Sequence, residues 1–306
     1  MLSLSKQSPI HKQFILNASE IKSSTQGYID PIGDQLHLKA PQIIHRYENR
    51  VLFLPTQICP INCRYCFRKN EIHHDQEIFK KANLDSSIDY LQNHPEIKEI
   101  IFSGGDPLIL SNKKINYYLE CFSSIKHIQY IRFHSRVPVV LPERLDDELK
   151  EIIEKWSSRF SFHLAIHTNH WLEWSKPGLT QLRKIQFWPW QLLSQSVLLK
   201  GVNNDVHSLQ ELFTHLYNFK VRPYYLHHPD LVAGGEFYYM SLDEGRKIYS
   251  QLRDLIPTWC LPHYVIDPPT GVGKSIIGQV LTEKGSHKHQ ILSRKGNIYH
   301  HVEIIS

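Results

Sequence analysis

The stretch Arg50–Arg68, RVLFLPTQICPINCRYCFR, runs from an apolar segment of strand character into a loop carrying Cys59, Cys63 and Cys66, three of the chain's five cysteines. Pro60, Asn62, Arg64 and Tyr65 mark the cysteine segment as a loop rather than a row of buried core thiols. Structural zinc requires four ligands. His73 or His74 could supply a fourth, but no second paired-ligand spacing follows downstream. Three thiolates on one short loop instead suit three irons of a four-iron, four-sulfur cluster, with the fourth iron open to an outside ligand.

Outward from this stretch, short β-branched or aromatic runs alternate with longer amphipathic ones. The spacing predicts strands at Arg50–Thr56, Glu99–Ser103, Tyr130–His134, Phe162–His167, Gln195–Leu199 and Val221–His227. Helical patterns lie between them, several opened by Ser, Asn or Asp in an N-cap position. Strand-then-helix units in series imply parallel pairing with right-handed crossovers. Six units fall short of the eight that close a full barrel, so the expected fold is α/β, a partial open (β/α)6 barrel with chemistry at the C-terminal strand ends. Residues 1–45 read as an N-terminal extension, 46–260 as the core, and 261–306 as a lysine-bearing loop plus a β-hairpin around Lys295-Gly296-Asn297, all within one catalytic unit.

Composition narrows the function classes. Thirty-five Lys and Arg against 30 Asp and Glu give a net charge of +5, too small and too evenly spread to be a nucleic-acid footprint. No run reaches the roughly 18 apolar residues of a membrane span. The N-terminal apolar residues are broken by Lys, Gln, Pro and His, unlike a secretory signal. Five cysteines, three crowded into one loop, are not a disulfide framework, so the cytoplasm is the expected compartment.

Two more segments carry chemistry. The second predicted strand ends in FSGGDPL, where Ser103, Gly104, Gly105 and Asp106 form either a plain strand-to-helix turn or a place where backbone N–H and C=O groups meet a ligand. Near the C-terminus, YVIDPPTGVGKS contains Asp267, Gly271, Gly273 and Lys274. It ends like a phosphate-binding P-loop, but Pro268 stands where that pattern needs its first glycine. The remaining readings are an exposed lysine in a flexible loop or a lysine whose amine holds pyridoxal phosphate (PLP) covalently.

The cysteine spacing after the first strand resembles radical S-adenosylmethionine (SAM) enzymes. HRYENRVLFL, CPINCRYCFR, SGGDPL, SRVPVVLPER, QSVLLKGVN and RPYYLHHPDL, followed by Asp267 and Lys274, narrow the resemblance to the lysine 2,3-aminomutase family, from about His45 to the C-terminus. The resemblance implies the following roles. Cys59, Cys63 and Cys66 hold a [4Fe-4S] cluster; Ser103, Gly104, Gly105, Asp106, His167 and Gln195 lie beside SAM; Lys274 holds PLP, with Tyr47 and Arg50 contacting it. Arg68 receives the carboxylate of L-lysine, and Asp230 and Asp267 its distal ammonium. The implied reaction moves the α-amino group to the β-carbon, giving β-lysine, with an electron donor such as flavodoxin or ferredoxin.

The alternatives are an aminomutase acting on another amino acid and a PLP-free radical SAM enzyme. Thr270-Gly271-Val272-Gly273 departs from the all-glycine run of many relatives. The histidine of YYLHHPD is similar to the branch that makes β-lysine for elongation factor P.

Overall fold

The computed structural model describes residues 5, 7–16, 27–70, 81–268, 271–282, 288–292 and 298–302. His73, His74, Thr270 and the turn at Lys295-Gly296-Asn297 lie outside the described residues. Ten strands form one sheet in chain order: β1 Leu38–Ala40, β2 Ile43–Tyr47, β3 Arg50–Thr56, β4 Glu99–Gly104, β5 Tyr130–Ser135, β6 Ser161–His167, β7 Trp190–Val197, β8 Arg222–His227, β9 His263–Ile266 and β10 Ser275–Ile276. Strands β3 to β9 pair in parallel, while β1, β2 and β10 add antiparallel edges. β1 and β10 stand at opposite ends of the sheet order, so the barrel is open.

Five of the six strands expected from sequence fall within one residue of their observed bounds. β7 begins earlier than expected, at Trp190, because Gln191, Ser194, Gln195 and Ser196 interrupt its apolar pattern. Ser194 and Ser196 are nevertheless fully buried on its helix-facing side, beside Trp190 and Leu192, while Gln195 and Val197 face the interior of the barrel. β9 is a seventh parallel strand. Its four residues, HYVI, are too short to separate by pattern from the glycine loop that follows.

The core between sheet and helices is aromatic at its start. Phe53 meets Phe102, Tyr118 and Phe122 edge-on at 5.1–5.3 Å, which locks β3 and β4 onto the helix Asn112–Ser123. Helix entry follows the predicted caps. Ser111, Asp146, Asp205 and Ser241 each accept a hydrogen bond from a backbone N–H of the first turn, at about 1 kcal/mol apiece. The expected C-terminal hairpin is present as β12 Lys288–Leu292 and β13 Ile298–Val302, with β11 Val280–Thr282 as a third strand; Ile291 and Val280 pack into the core. No helix among the described residues is long and apolar enough to cross a membrane.

Phe53→Ala should destabilise the protein by about 3–5 kcal/mol, the cost of a large cavity in a packed core. Phe187→Ala, at a side chain 73% exposed, should stay within about 0.5 kcal/mol. Urea unfolding of the two variants checks the contrast.

Candidate active site

Parallel strands all end on the same rim, and the loops leaving that rim enclose a cavity of about 260 Å³. Every residue given a site role from sequence lines it: the three cysteines, Arg68, Ser103 to Asp106, Tyr47, Arg50, His167, Gln195, Asp230, Asp267 and Lys274.

The cysteine loop is held from three sides. Gly105 N donates to Thr56 O at 2.7 Å and Asp106 N to Ile58 O at 2.8 Å, zipping the end of β4 to the start of the loop. A Cβ on Gly105 would stand 2.2 Å from Ile58 O, and one on Gly104, at φ +99°, 2.4 Å from Thr56 O. These glycines therefore serve loop-to-loop contact, and two of the N–H groups that the sequence offered to a ligand are already spent. The Asp106 carboxylate is likewise engaged by protein. It accepts from Leu108 N, Ser135 Oγ, Arg136 N and Val137 N, which fills its four lone-pair sites. On the third side, Arg64 N donates to Gln13 O at 2.9 Å, so the N-terminal helix Pro9–Phe14 lies against the loop.

Burial, with Asp106 and the two neighbouring thiols adding, pushes Cys59 up to about 12. Burial, with Cys63 adding, pushes Cys66 up to about 11. Anionic sulfur is unwelcome here without a bound cation, and all five cysteines are free thiols. Among the described residues no three His, Cys, Asp or Glu side chains converge tightly enough to hold a single ion. The thiols instead face one shared space, which fits a multi-iron cluster better than a mononuclear zinc site.

His167 and Gln195 are register partners on β6 and β7 and project side by side. Burial, with Arg136 and His227 adding, holds His167 well below the usual imidazole range. It is therefore neutral. Tyr65, between the second and third cysteines, donates its hydroxyl to His167 Nε2 at 2.8 Å while accepting from Arg136 and Asn169.

Across the cavity runs a chain of charge that sequence reasoning only partly finds. Lys274 Nζ donates to Asp267 Oδ2 at 2.7 Å, and Arg46 Nη1 to Asp267 Oδ1 at 2.9 Å. Arg46 also pairs with Asp34, and Asp34 with Arg68. Arg46, Asp34 and Asp267 are 6%, 3% and 4% exposed, so these are desolvated pairs. Burial works against the Lys274 charge, but Asp267, with Tyr47 adding, outweighs it and holds the ammonium above its usual value. Asp267 is thus occupied by two cations in this structure, while Asp230 has no ion-pair partner among the described residues. Burial and the nearby Asp267 push Asp230 up to about 8. Asp34 stands outside every motif read from the sequence, and Arg46, although inside HRYENRVLFL, has no spacing there that reveals its partners. Arg132, His134, Tyr225 and His227 line the same cavity, and the sequence gives none of them a place in it.

The lysine loop is shaped by glycine. Gly273 sits at φ +89°, where a Cβ would stand 2.6 Å from Tyr47 Oη; that hydroxyl accepts from Lys274 N at 2.7 Å. Arg50 lies over the Tyr47 ring at 3.9 Å, so the β2–β3 hairpin delivers both residues to the lysine. A primary amine with a neighbouring guanidinium fits an aldehyde cofactor that carries phosphate. Gly273→Ala should cost about 1–3 kcal/mol in urea unfolding through backbone strain. Gly278→Ala, where a Cβ meets nothing within 4 Å, should be near neutral.

Residues 53–212 match the model of the Radical SAM superfamily, whose cofactors are a [4Fe-4S] cluster and SAM. The L-lysine 2,3-aminomutase of Clostridium subterminale is 33% identical over 284 residues, spanning 93% of this chain and 68% of the relative. Those of Haemophilus influenzae and Escherichia coli strain K12 are each 34% identical, spanning 84% and 83% of this chain and 75% and 73% of their own lengths. More than half of the chain lies inside the superfamily model, and these identities extend over most of its length, on both sides of the cysteine loop. The chain therefore belongs to the lysine 2,3-aminomutase family, isomerases of the radical SAM superfamily.

Proposed function

We propose that the protein converts L-lysine to β-lysine, with Cys59, Cys63 and Cys66 holding the cluster and Lys274 holding PLP. The observation that carries the substrate is the 2.7 Å pair between Lys274 and Asp267: the cavity already holds one lysyl ammonium against a buried carboxylate. Once its amine is engaged by a cofactor, Lys274 no longer neutralises Asp267. Asp267 then keeps Arg46 alone as its partner, and its freed Oδ2 together with Asp230 calls for another cation, which the distal ammonium of lysine supplies. Arg68 offers a guanidinium fork for the α-carboxylate, a contact that a point-charge ammonium would not reproduce. Bound together, cluster and SAM supply a 5′-deoxyadenosyl radical by one-electron cleavage, and PLP supplies a carrier that delocalises an unpaired electron during amino migration. The protein positions the substrate at both ends and keeps His167, His134 and His227 neutral beside it.

The rest of the reading is chemical. A one-electron protein donor such as flavodoxin or ferredoxin reduces the cluster, and the reducing cytoplasm keeps the cysteines out of disulfides. Elongation factor P as destination for β-lysine rests on the His227-His228 resemblance alone. One catalytic unit is supported by Asp34 and Lys274, which reach the same cavity from either side of the core.

Anaerobic reconstitution with iron, sulfide, SAM, PLP, dithionite and L-lysine should give β-lysine by chromatography. Norleucine, lacking the distal ammonium, should turn over on the order of 10²- to 10³-fold more slowly, because buried carboxylates lose their partner. Equal turnover of the two would remove lysine as the substrate. Lys274→Ala should lose borohydride-trapped PLP yet keep its iron.

The Asp230 carboxylate gives a signed pH effect. Burial first, then Asp267 and Asp34, raise it, and Lys274 and Arg46 lower it, leaving it mostly protonated below about 8. Only the ionised form pairs with an ammonium, so the KM for lysine should fall by up to about tenfold per unit as pH rises toward 8. The gain should level off above about 8, where Asp230 is ionised, and reverse where the substrate ammonium deprotonates, at ~10.4. Asp230→Asn should flatten the low-pH limb; a limb unchanged in that variant assigns the titration to another group.

A further inference from the structure

The guanidinium of Arg136 is 5% exposed and points one nitrogen at a cysteine of the loop: Nη1 stands 3.4 Å from Cys63 Sγ. Everything around it fixes that direction. Nη1 also meets the Tyr65 hydroxyl, Nη2 donates to Glu173 Oε2 at 2.5 Å and to Gln13 Oε1 at 3.0 Å, and the Phe14 ring lies 4.7 Å away. Glu173 is itself held, accepting at Oε1 from the N–H groups of Asn169 and His170. Such a network exceeds what anchoring a loop requires, since Tyr65 alone already ties the loop to β6 through His167.

We propose that Arg136 is a positioning residue that sets the reduction potential of the cluster through its N–H···S contact with Cys63, with Glu173 as the counter-charge that limits the effect. This inference rests on the reading of Cys59, Cys63 and Cys66 as cluster ligands. Reduction adds one electron to the cluster and makes or breaks no bond, so the reduced state carries more negative charge on its sulfur ligands. A cationic donor 3.4 Å from one of those sulfurs stabilises the reduced state more than the oxidised one and raises the potential. Glu173, ion-paired with the same guanidinium, offsets part of that charge. The two residues therefore push the potential in opposite directions.

The test is an EPR-monitored potentiometric titration of the reconstituted full-length protein without SAM, with iron and sulfide measured first. The double variant Arg136→Met/Glu173→Gln removes the donor and leaves the pair electrically neutral. Its reduced-to-oxidised ratio at a fixed potential should fall at least tenfold, a downward shift of about 59 mV. Glu173→Gln alone keeps the donor, removes its counter-charge and should shift the potential upward. A structural role would lower iron content without moving the potential of the cluster that remains. An unmoved potential in either variant that keeps its iron, or loss of iron from both, makes the contact structural and overturns the inference. Wild-type protein that takes up no iron and sulfide overturns the cluster reading itself.

Discussion

A guanidinium taken out of water costs several kcal/mol unless a carboxylate meets it in good geometry, and this molecule buries Arg46, Arg68 and Arg136 around one cavity. Their partners come from distant parts of the chain. Asp34 stands before the first strand, Asp267 just past β9, and Glu173 after β6. The need to pair these charges determines where segments outside the parallel strands lie. Residues 27–37 cross the rim with Asp34 between Arg46 and Arg68, held down by the Tyr28–Val232 bridge beside Asp230. The helix Pro9–Phe14 lies against the cysteine loop through Gln13, which joins the Arg136–Glu173 pair.

The cavity is therefore divided into two electrostatic halves. On the cysteine side, half-buried thiols face the cavity, Cys59 and Cys66 are held above the usual thiol range by burial, and one guanidinium leans on Cys63. On the lysine side, two carboxylates share too few fixed cations, and a movable amine, Lys274, occupies one of them. The proposed cluster and cationic substrate would meet complementary environments within one cavity. The neutral histidines of the strand ends, His134, His167 and His227, line the cavity without adding charge to either half.

Much of this is legible in the amino-acid sequence, for identifiable reasons. Strands of a parallel sheet are covered on both faces, so β3 to β6 read as apolar runs and their ends can be placed to a residue. The start of β7 is misplaced by its pattern because Ser194 and Ser196 stand on its buried, helix-facing side, where apolar residues are expected, while Gln195 and Val197 face the cavity. The cysteine triplet and the Asp267–Lys274 interval are readable because each is a short spacing within one loop. The glycines of FSGGDPL point to the cavity but not to the contact they serve, since a glycine in sequence does not say what approaches it.

By itself, then, the sequence determined the α/β class, the strand-end location of the site, the candidate cluster ligands and the candidate lysine, because local pattern and short-range spacing are properties of the chain's own geometry. Only the tertiary structure decided that Asp34, Arg46 and Arg136 line the same cavity, that the Asp106 carboxylate is consumed by protein donors, and that Asp267 rather than Asp230 is the carboxylate already paired. Those are pairings between residues as much as 233 positions apart, as with Asp34 and Asp267 joined through Arg46. Which charge finds which partner depends on how strands and loops converge in space, and no local spacing encodes it.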